Sequence, residues 1–269
     1  MHPRRFKLRS PLLLAAACAA LWSAPGAAQV SIGGGGVEKQ SRAAFQQMKA
    51  HIPQSTNARA IALVDCIARA VIAQTDPEQA QKDWEIVLFE HDAVNAFAMP
   101  GGKVGVFTGL FRVANNQHMV AAVLGHEIAH VTLKHAERRA TRRTLTGLAT
   151  GVATGVASAV LGGNIFTQRA LSDVMGYGAE MGLNRPYDRG QETDADVRGL
   201  HYMAAAGFDP RATIELFKRM GRIDRNAPPE WASTHPSSDT RLDTLISNLA
   251  PTLATYNGAQ AAGRGHQCQ

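Results

Sequence analysis

His126-Glu127-Ile128-Ala129-His130 sets two imidazoles four residues apart. On a helix, such a pair leaves one face a turn apart and can grip a single metal ion. The carboxylate of Glu127, beside the first imidazole, then reaches a water polarised by that ion. Two ligands, a general base and an open coordination position are what zinc-assisted peptide hydrolysis requires. The flanks are apolar, with Val120, Ala121, Val123 and Leu124 before the motif and Val131 and Leu133 after it. Two histidines and a glutamate are costly to bury in such a helix unless something binds them. Core histidines satisfied by their neighbours are the alternative.

Zinc needs a third protein ligand. The candidate is Glu192, within Tyr187-Asp188-Arg189-Gly190-Gln191-Glu192-Thr193-Asp194-Ala195-Asp196. Glu192 and Asp196 stand four apart on a predicted helix, so both carboxylates share a face. One can bind the metal while the other accepts a hydrogen bond from a ligand imidazole and fixes its tautomer. Taken alone, an acidic helix start also fits compensation of the helix dipole.

These residues need elements to carry them. Gln117 to Arg139 reads as one helix with the motif near its centre. Gln191 to Ala206 reads as another, stopped by Gly207 with Pro210 beyond. Asn57 to Thr75 has apolar residues at Ile61, Val64, Ile67, Ala68, Val71 and Ile72, the spacing of an amphipathic helix. Arg211 to Arg222 and Ser238 to Asn248 are further helices. Trp84 to Glu90 is a short apolar run that reads as a strand. Asn95 to Met99, then Pro100-Gly101-Gly102, then Lys103 to Phe107, has the turn chemistry of a hairpin. The expected class is α+β, mainly helical, with a small antiparallel sheet beside the active-site helix.

The ends of the chain say where it works. Of the residues behind the formal charge of +6, Arg4, Arg5, Lys7 and Arg9 lie in the first ten positions. An uncharged run from Leu12 to Trp22 follows, too short to span a bilayer, with small residues at Gly26, Ala27 and Ala28. This pattern predicts a secretory signal peptide over residues 1–28. Cleavage before Cys18 with lipidation is the alternative to simple export to the periplasm. An oxidising compartment favours a disulfide between Cys66 and Cys268, against a buried Cys66 and a free Cys268. Residues 29–50 then form a linker, Gly-rich from Ser31 to Gly36, and the start of a first helix. The catalytic domain is expected over residues 51–250 and a tail over 251–269. Thr144 to Gln168 carries no charge. It fits a lid-forming helical hairpin, a membrane-surface contact or a span. No basic stripe is interleaved with aromatics, so nucleic acid is not an expected partner.

Four blocks together resemble metallopeptidase family forty-eight, the group of the CaaX prenyl proteases, HtpX and the mitochondrial Oma-type peptidases. They are Asn95-Ala96-Phe97-Ala98 with Pro100-Gly101-Gly102, Gly125 to Val131, Arg189 to Asp196, and His235-Pro236 with Arg241. The likeness is greatest to the family's periplasmic members. It implies a zincin domain of gluzincin type, one zinc ion held by His126, His130 and Glu192, and Glu127 as general base. Asp196 would support a ligand imidazole. His235 would lie near the metal, stabilising the oxyanion or filling the open position in a latent state. A surface histidine before a turn proline is the other reading of His235. Asn95, Ala96 and Phe97 would offer an edge strand to an extended substrate. His135 lies five residues beyond His130, about 140° around a continuous helix, and is expected to face elsewhere in a structural role. The implied activity is a zinc endopeptidase of protein quality control acting on polypeptides, outer-membrane proteins among them. The rival is a chaperone or assembly factor that uses the same groove and seldom cuts.

Overall fold

The computed structural model describes residues 34–150, 187–220, 222, 234–236, 238–265 and 268, with residues 143–150 described as backbone alone. The expected signal peptide, Cys18 and most of the uncharged stretch lie outside these residues. The elements are α1 (Gly34–His51), α2 (Ala58–Ile72), the single turn α3 (Pro77–Ala80), β1 (Glu85–Phe89), β2 (Ala96–Met99) and β3 (Lys103–Phe107). After them come α4 (Gln117–Thr132), α5 (His135–Thr150), α6 (Arg189–Ala205), α7 (Arg211–Met220) and α8 (Asp239–Ala261). Helix α1 begins inside the stretch expected to be a Gly-rich linker. No described helix is long and apolar enough to cross a membrane.

The sheet is mixed rather than antiparallel, in the order β1-β3-β2. The expected hairpin is present: β2 runs antiparallel to β3, with Ala96 opposite Val106 and Met99 opposite Lys103. Gly101 takes the left-handed φ of +84° that its turn requires. The second neighbour differs from expectation because β1 pairs in parallel with β3, from Glu85 opposite Lys103 to Phe89 opposite Phe107. Burial explains the order. Every residue of β3 is buried, and a strand so apolar belongs in the middle.

Alternation along the strands divides the core. Phe89, Met99 and Phe107 pack with Phe45 and Ile52 on the α1 side, and Phe97 lies against them. Leu88, Ala96, Ala98, Val104 and Val106 face the larger core shared with α2 and α4. Helix α4 is buried continuously from Met119 to Val131, the signature of a helix enclosed on all sides. Asn116 caps it by accepting from the Met119 amide.

Two helix ends differ from expectation. The helix over Gln117 to Arg139 is two helices, because Lys134 adopts a left-handed φ of +54° between Thr132 and His135. Helix α8 continues past Asn248 and through Pro251 to Ala261, so the first part of the expected tail is helical. Pro251 and Ser247, whose carbonyl the proline frees, are both exposed, and water can satisfy that carbonyl. The expected disulfide is present: Cys268 is bonded to Cys66 in α2, with Cα atoms 5.8 Å apart. The Cys268 amide also donates to Gln117 Oε1 at 2.9 Å, tying the chain end to the start of α4.

Candidate metal centre

The site forms where α4 crosses α6, and the crossing is made by two glycines. A Cβ on Gly199 would lie 2.7 Å from both Gly125 C and His126 N. A Cβ on Gly125 would lie 2.8 Å from Gly199 O. Bare backbone at both positions lets the helices touch, and the next residues along α4 reach the acids of α6. The start of α6 is fixed by a capping box, with Asp188 accepting from the Gln191 amide at 2.9 Å.

The expected ligand residues meet in the interior. His126 Nε2 lies 3.0 Å from His130 Nε2 and 3.1 Å from His235 Nδ1. Glu192 presents Oε1 at 3.5 Å from His130 Nε2 and 3.0 Å from His235 Nδ1, and Oε2 at 3.6 Å from His126 Nε2. One donor atom from each of the four residues falls within 4.8 Å of the others. All four are buried, none more than 4% exposed, so His235 is not a surface histidine. Four donors placed about 2.0 Å from one ion stand about 3.3 Å from one another when the set is tetrahedral. The spacings and the donor chemistry, three imidazole nitrogens and a carboxylate, fit zinc.

Glu127 is buried beside this group, with Oε1 3.4 Å from His235 Nε2. Asp196 stands behind His126, its Oδ1 3.0 Å from His126 Nδ1. Sequence reasoning assigned no role to Arg241, which is 2% exposed. Its Nε and Nη2 donate to the two oxygens of Asp196 at 2.6 and 2.7 Å. Its Nη1 lies 2.9 Å from Glu192 Oε2 and donates to the carbonyls of His235 and Pro236 at 3.1 and 2.9 Å. One guanidinium thus joins Glu192 and Asp196 of α6 to the loop that carries His235. The six-residue step from His235 to Arg241 was the available signal.

His135 does not face away. Its Nδ1 lies 2.9 Å from His130 Nδ1, and the residue is fully buried. The expectation failed because it assumed one helix, whereas the reversal at Lys134 folds His135 back. Tyr187, named in the sequence only as part of a segment, stacks on His130 with ring centroids 3.9 Å apart. Arg139 covers the tyrosine ring at 4.1 Å.

The electrostatics suit a cation. Burial, followed by the neighbouring His126, holds His130 well below the usual imidazole range. Burial, with Arg138, takes His135 down to about 4. Burial works to raise Glu192, but His235 and Arg241 outweigh it and its carboxyl is lowered. Asp196 is likewise lowered against its burial, chiefly by Arg241 and His126. Burial pushes the Tyr187 phenol up to about 12. His235 moves the other way, raised by Glu127 and Glu192 against its burial, whereas a lowered His130 beside ionised carboxylates is what a metal site needs.

Asn95 precedes β2, and Ala96 and Phe97 open it; β2 is an outer strand of the sheet. Ala96 faces α4 and Phe97 the opposite core. The disulfide joins the chain end to α2 and supplies no group to the site.

The sequence pattern of peptidase family M48 matches residues 58–248, a span that holds every residue of the cluster. The chain belongs to peptidase family M48. It is 30% identical over 184 residues to the mitochondrial metalloendopeptidase OMA1 of Arabidopsis thaliana, covering 68% of this chain and 35% of that protein. It is 31% identical over 237 residues to the mitochondrial metalloendopeptidase OMA1 of Bos taurus, covering 84% and 45%. It is 29% identical over 205 residues to the beta-barrel assembly-enhancing protease of Yersinia pestis, covering 73% and 40%. The chain therefore spans less than half the length of each of these relatives.

Proposed function

We propose that this chain is a zinc-dependent endopeptidase of the cell envelope that hydrolyses peptide bonds in misfolded or misassembled proteins. The observation that carries this reading is the convergence of His126, His130, Glu192 and His235 within 4.8 Å, beside the buried carboxylate of Glu127. His126, His130 and Glu192 would hold one zinc ion, which supplies a Lewis acid toward the scissile carbonyl and the attacking water. Glu127 takes the proton of that water and passes it to the leaving amine. Asp196, held by Arg241, keeps His126 in the tautomer that offers Nε2. His235 would either stabilise the oxyanion or, through Nδ1, fill the open position in a latent state.

Extended substrates add to the sheet along Asn95, Ala96 and Phe97. Main-chain pairing tolerates many sequences, which suits poorly folded clients. Residues 1–28 export the protein to the periplasm, with lipidation at Cys18 as the alternative. Residues 51–250 form the peptidase domain. The Yersinia pestis relative is named for β-barrel assembly, which supports outer-membrane proteins as a substrate class.

A second reading draws on His235. A four-donor set without an open position belongs to quiet sites rather than active ones, and this favours a chaperone or assembly factor that seldom cuts. The experiment is zinc analysis of the purified protein with casein cleavage by the parent and Glu127→Gln. The variant keeps its zinc and loses cleavage; a variant that cuts casein at the parental rate refutes the mechanism. Complementation by Glu127→Gln separates the two readings, since a chaperone keeps its cellular phenotype without the base.

A further inference from the structure

The two histidines of the motif are supported differently. Behind His126 stands an anion, Asp196, itself gripped by Arg241. Behind His130 stands another imidazole, with His135 Nδ1 2.9 Å from His130 Nδ1. His130 sends Nε2 toward His126 and Glu192. For that nitrogen to offer a lone pair, the His130 proton must sit on Nδ1. His130 Nδ1–H then donates, and His135 Nδ1 must accept, which leaves the His135 proton on Nε2. No described polar group partners His135 Nε2, so its hydrogen bonding does not oppose this choice.

The backbone is built to deliver the contact. Lys134 spends a left-handed conformation, unusual for a residue with a side chain, to reverse the chain between α4 and α5. The reversal puts His135 at the first position of α5, directly against His130. Gln191, at the capping box of α6, donates from Nε2 to the His135 carbonyl at 3.2 Å and locks it there. Tyr187 covers the face of His130, with planes inclined by 22°. The imidazole of His130 is thus fixed at its edge by His135 and on its face by Tyr187.

We propose that His135 is a positioning residue for the metal centre, accepting the His130 Nδ1 proton so that Nε2 stays aimed at the ion. This rests on the reading of His126, His130 and Glu192 as zinc ligands. A neutral acceptor in this place, rather than a carboxylate, holds the ring without adding charge behind it.

The test uses the full chain and zinc alone. His135→Phe keeps a ring but removes the acceptor, and His135→Asn returns an acceptor oxygen near the position of Nδ1. Chelator competition should show zinc binding about tenfold or more weaker in His135→Phe and largely restored in His135→Asn. The d–d spectrum of the cobalt-loaded protein should shift in the first variant and return toward the parent in the second. Imidazole nitrogen NMR of the zinc-loaded parent gives a readout that depends on no variant folding. It should find the proton on Nδ1 of His130 and on Nε2 of His135. Unchanged zinc affinity and cobalt spectrum in His135→Phe, or a His135 proton on Nδ1, would overturn the proposal while leaving the zinc reading intact. A parent that binds no zinc defeats the zinc reading, and this proposal with it.

Discussion

Arg241 holds Asp196 through two parallel hydrogen bonds, Nε to Oδ2 at 2.6 Å and Nη2 to Oδ1 at 2.7 Å. A planar fork matched to a carboxylate is a geometry that lysine cannot copy. Both partners are buried, so removing Arg241 leaves the Asp196 carboxylate with His126 but without its cation. Arg241→Met should destabilise the metal-free protein by about 3 kcal/mol, read by urea unfolding. Arg241→Lys should lose zinc affinity although its charge is kept. A lysine variant with parental affinity would show that charge, not the fork, is what matters.

The glycine contact between α4 and α6 makes a paired prediction. Gly199→Ala would force a Cβ to 2.7 Å from backbone atoms of Gly125 and His126, which cannot swing away as a side chain can. It should destabilise by about 1–3 kcal/mol and weaken zinc binding by parting His126 from Glu192. Gly258, exposed in α8, has nothing within 4 Å of its Cβ position. Gly258→Ala should therefore stabilise by about 0.5–1 kcal/mol. Thermal unfolding of the two variants checks both signs.

Asp188 links the fold to pH. Its carboxyl is lowered from 3.8, first by accepting the Gln191 amide, with its modest burial opposing and the Arg142 contact assisting. The charged form is thus favoured by folding. Its contribution is complete above the unfolded value of 3.8 and is lost as pH falls through the lower folded value. Asp188→Asn, which can still cap but cannot titrate, should lose less stability than the parent between about pH 5 and pH 2. Parallel melting curves over that range would expose a contrary result.

The Cys66–Cys268 bridge closes a loop with a sequence separation of 202. Constraining the unfolded chain over such a length should contribute about 2–5 kcal/mol. Cys268→Ser should lower the urea midpoint by a corresponding amount, and reduction of the parent should reproduce the change. Equal midpoints in oxidised and reduced parent would mean that the bridge adds nothing to the folded chain.

Much of the site was legible because helical spacing alone aligns His126 with His130 and Glu192 with Asp196. The hairpin was legible from Pro100 and Gly101. The placement of β1 was not, since strand order is decided by which strand the core buries most deeply, and β3 took that place. The break at Lys134 left no trace because the left-handed residue is not a glycine. With it went the contact of His135, the one site residue whose direction was misjudged. Helix α8 ran beyond its predicted end because Pro251 lies at the surface, where water can satisfy the carbonyl it frees. Arg241 was visible as a position, but its five donors could be assigned only once α6 and the His235 loop were in place.

The buried charges around the imidazoles carry a last implication. Glu127, Glu192 and Asp196 all act on the guanidinium of Arg241. Glu127 and Glu192 raise His235 against its burial, so a proton on that ring also answers their charge. Proton and metal ion are thus drawn by the same carboxylates, and zinc uptake should release protons into a weakly buffered solution.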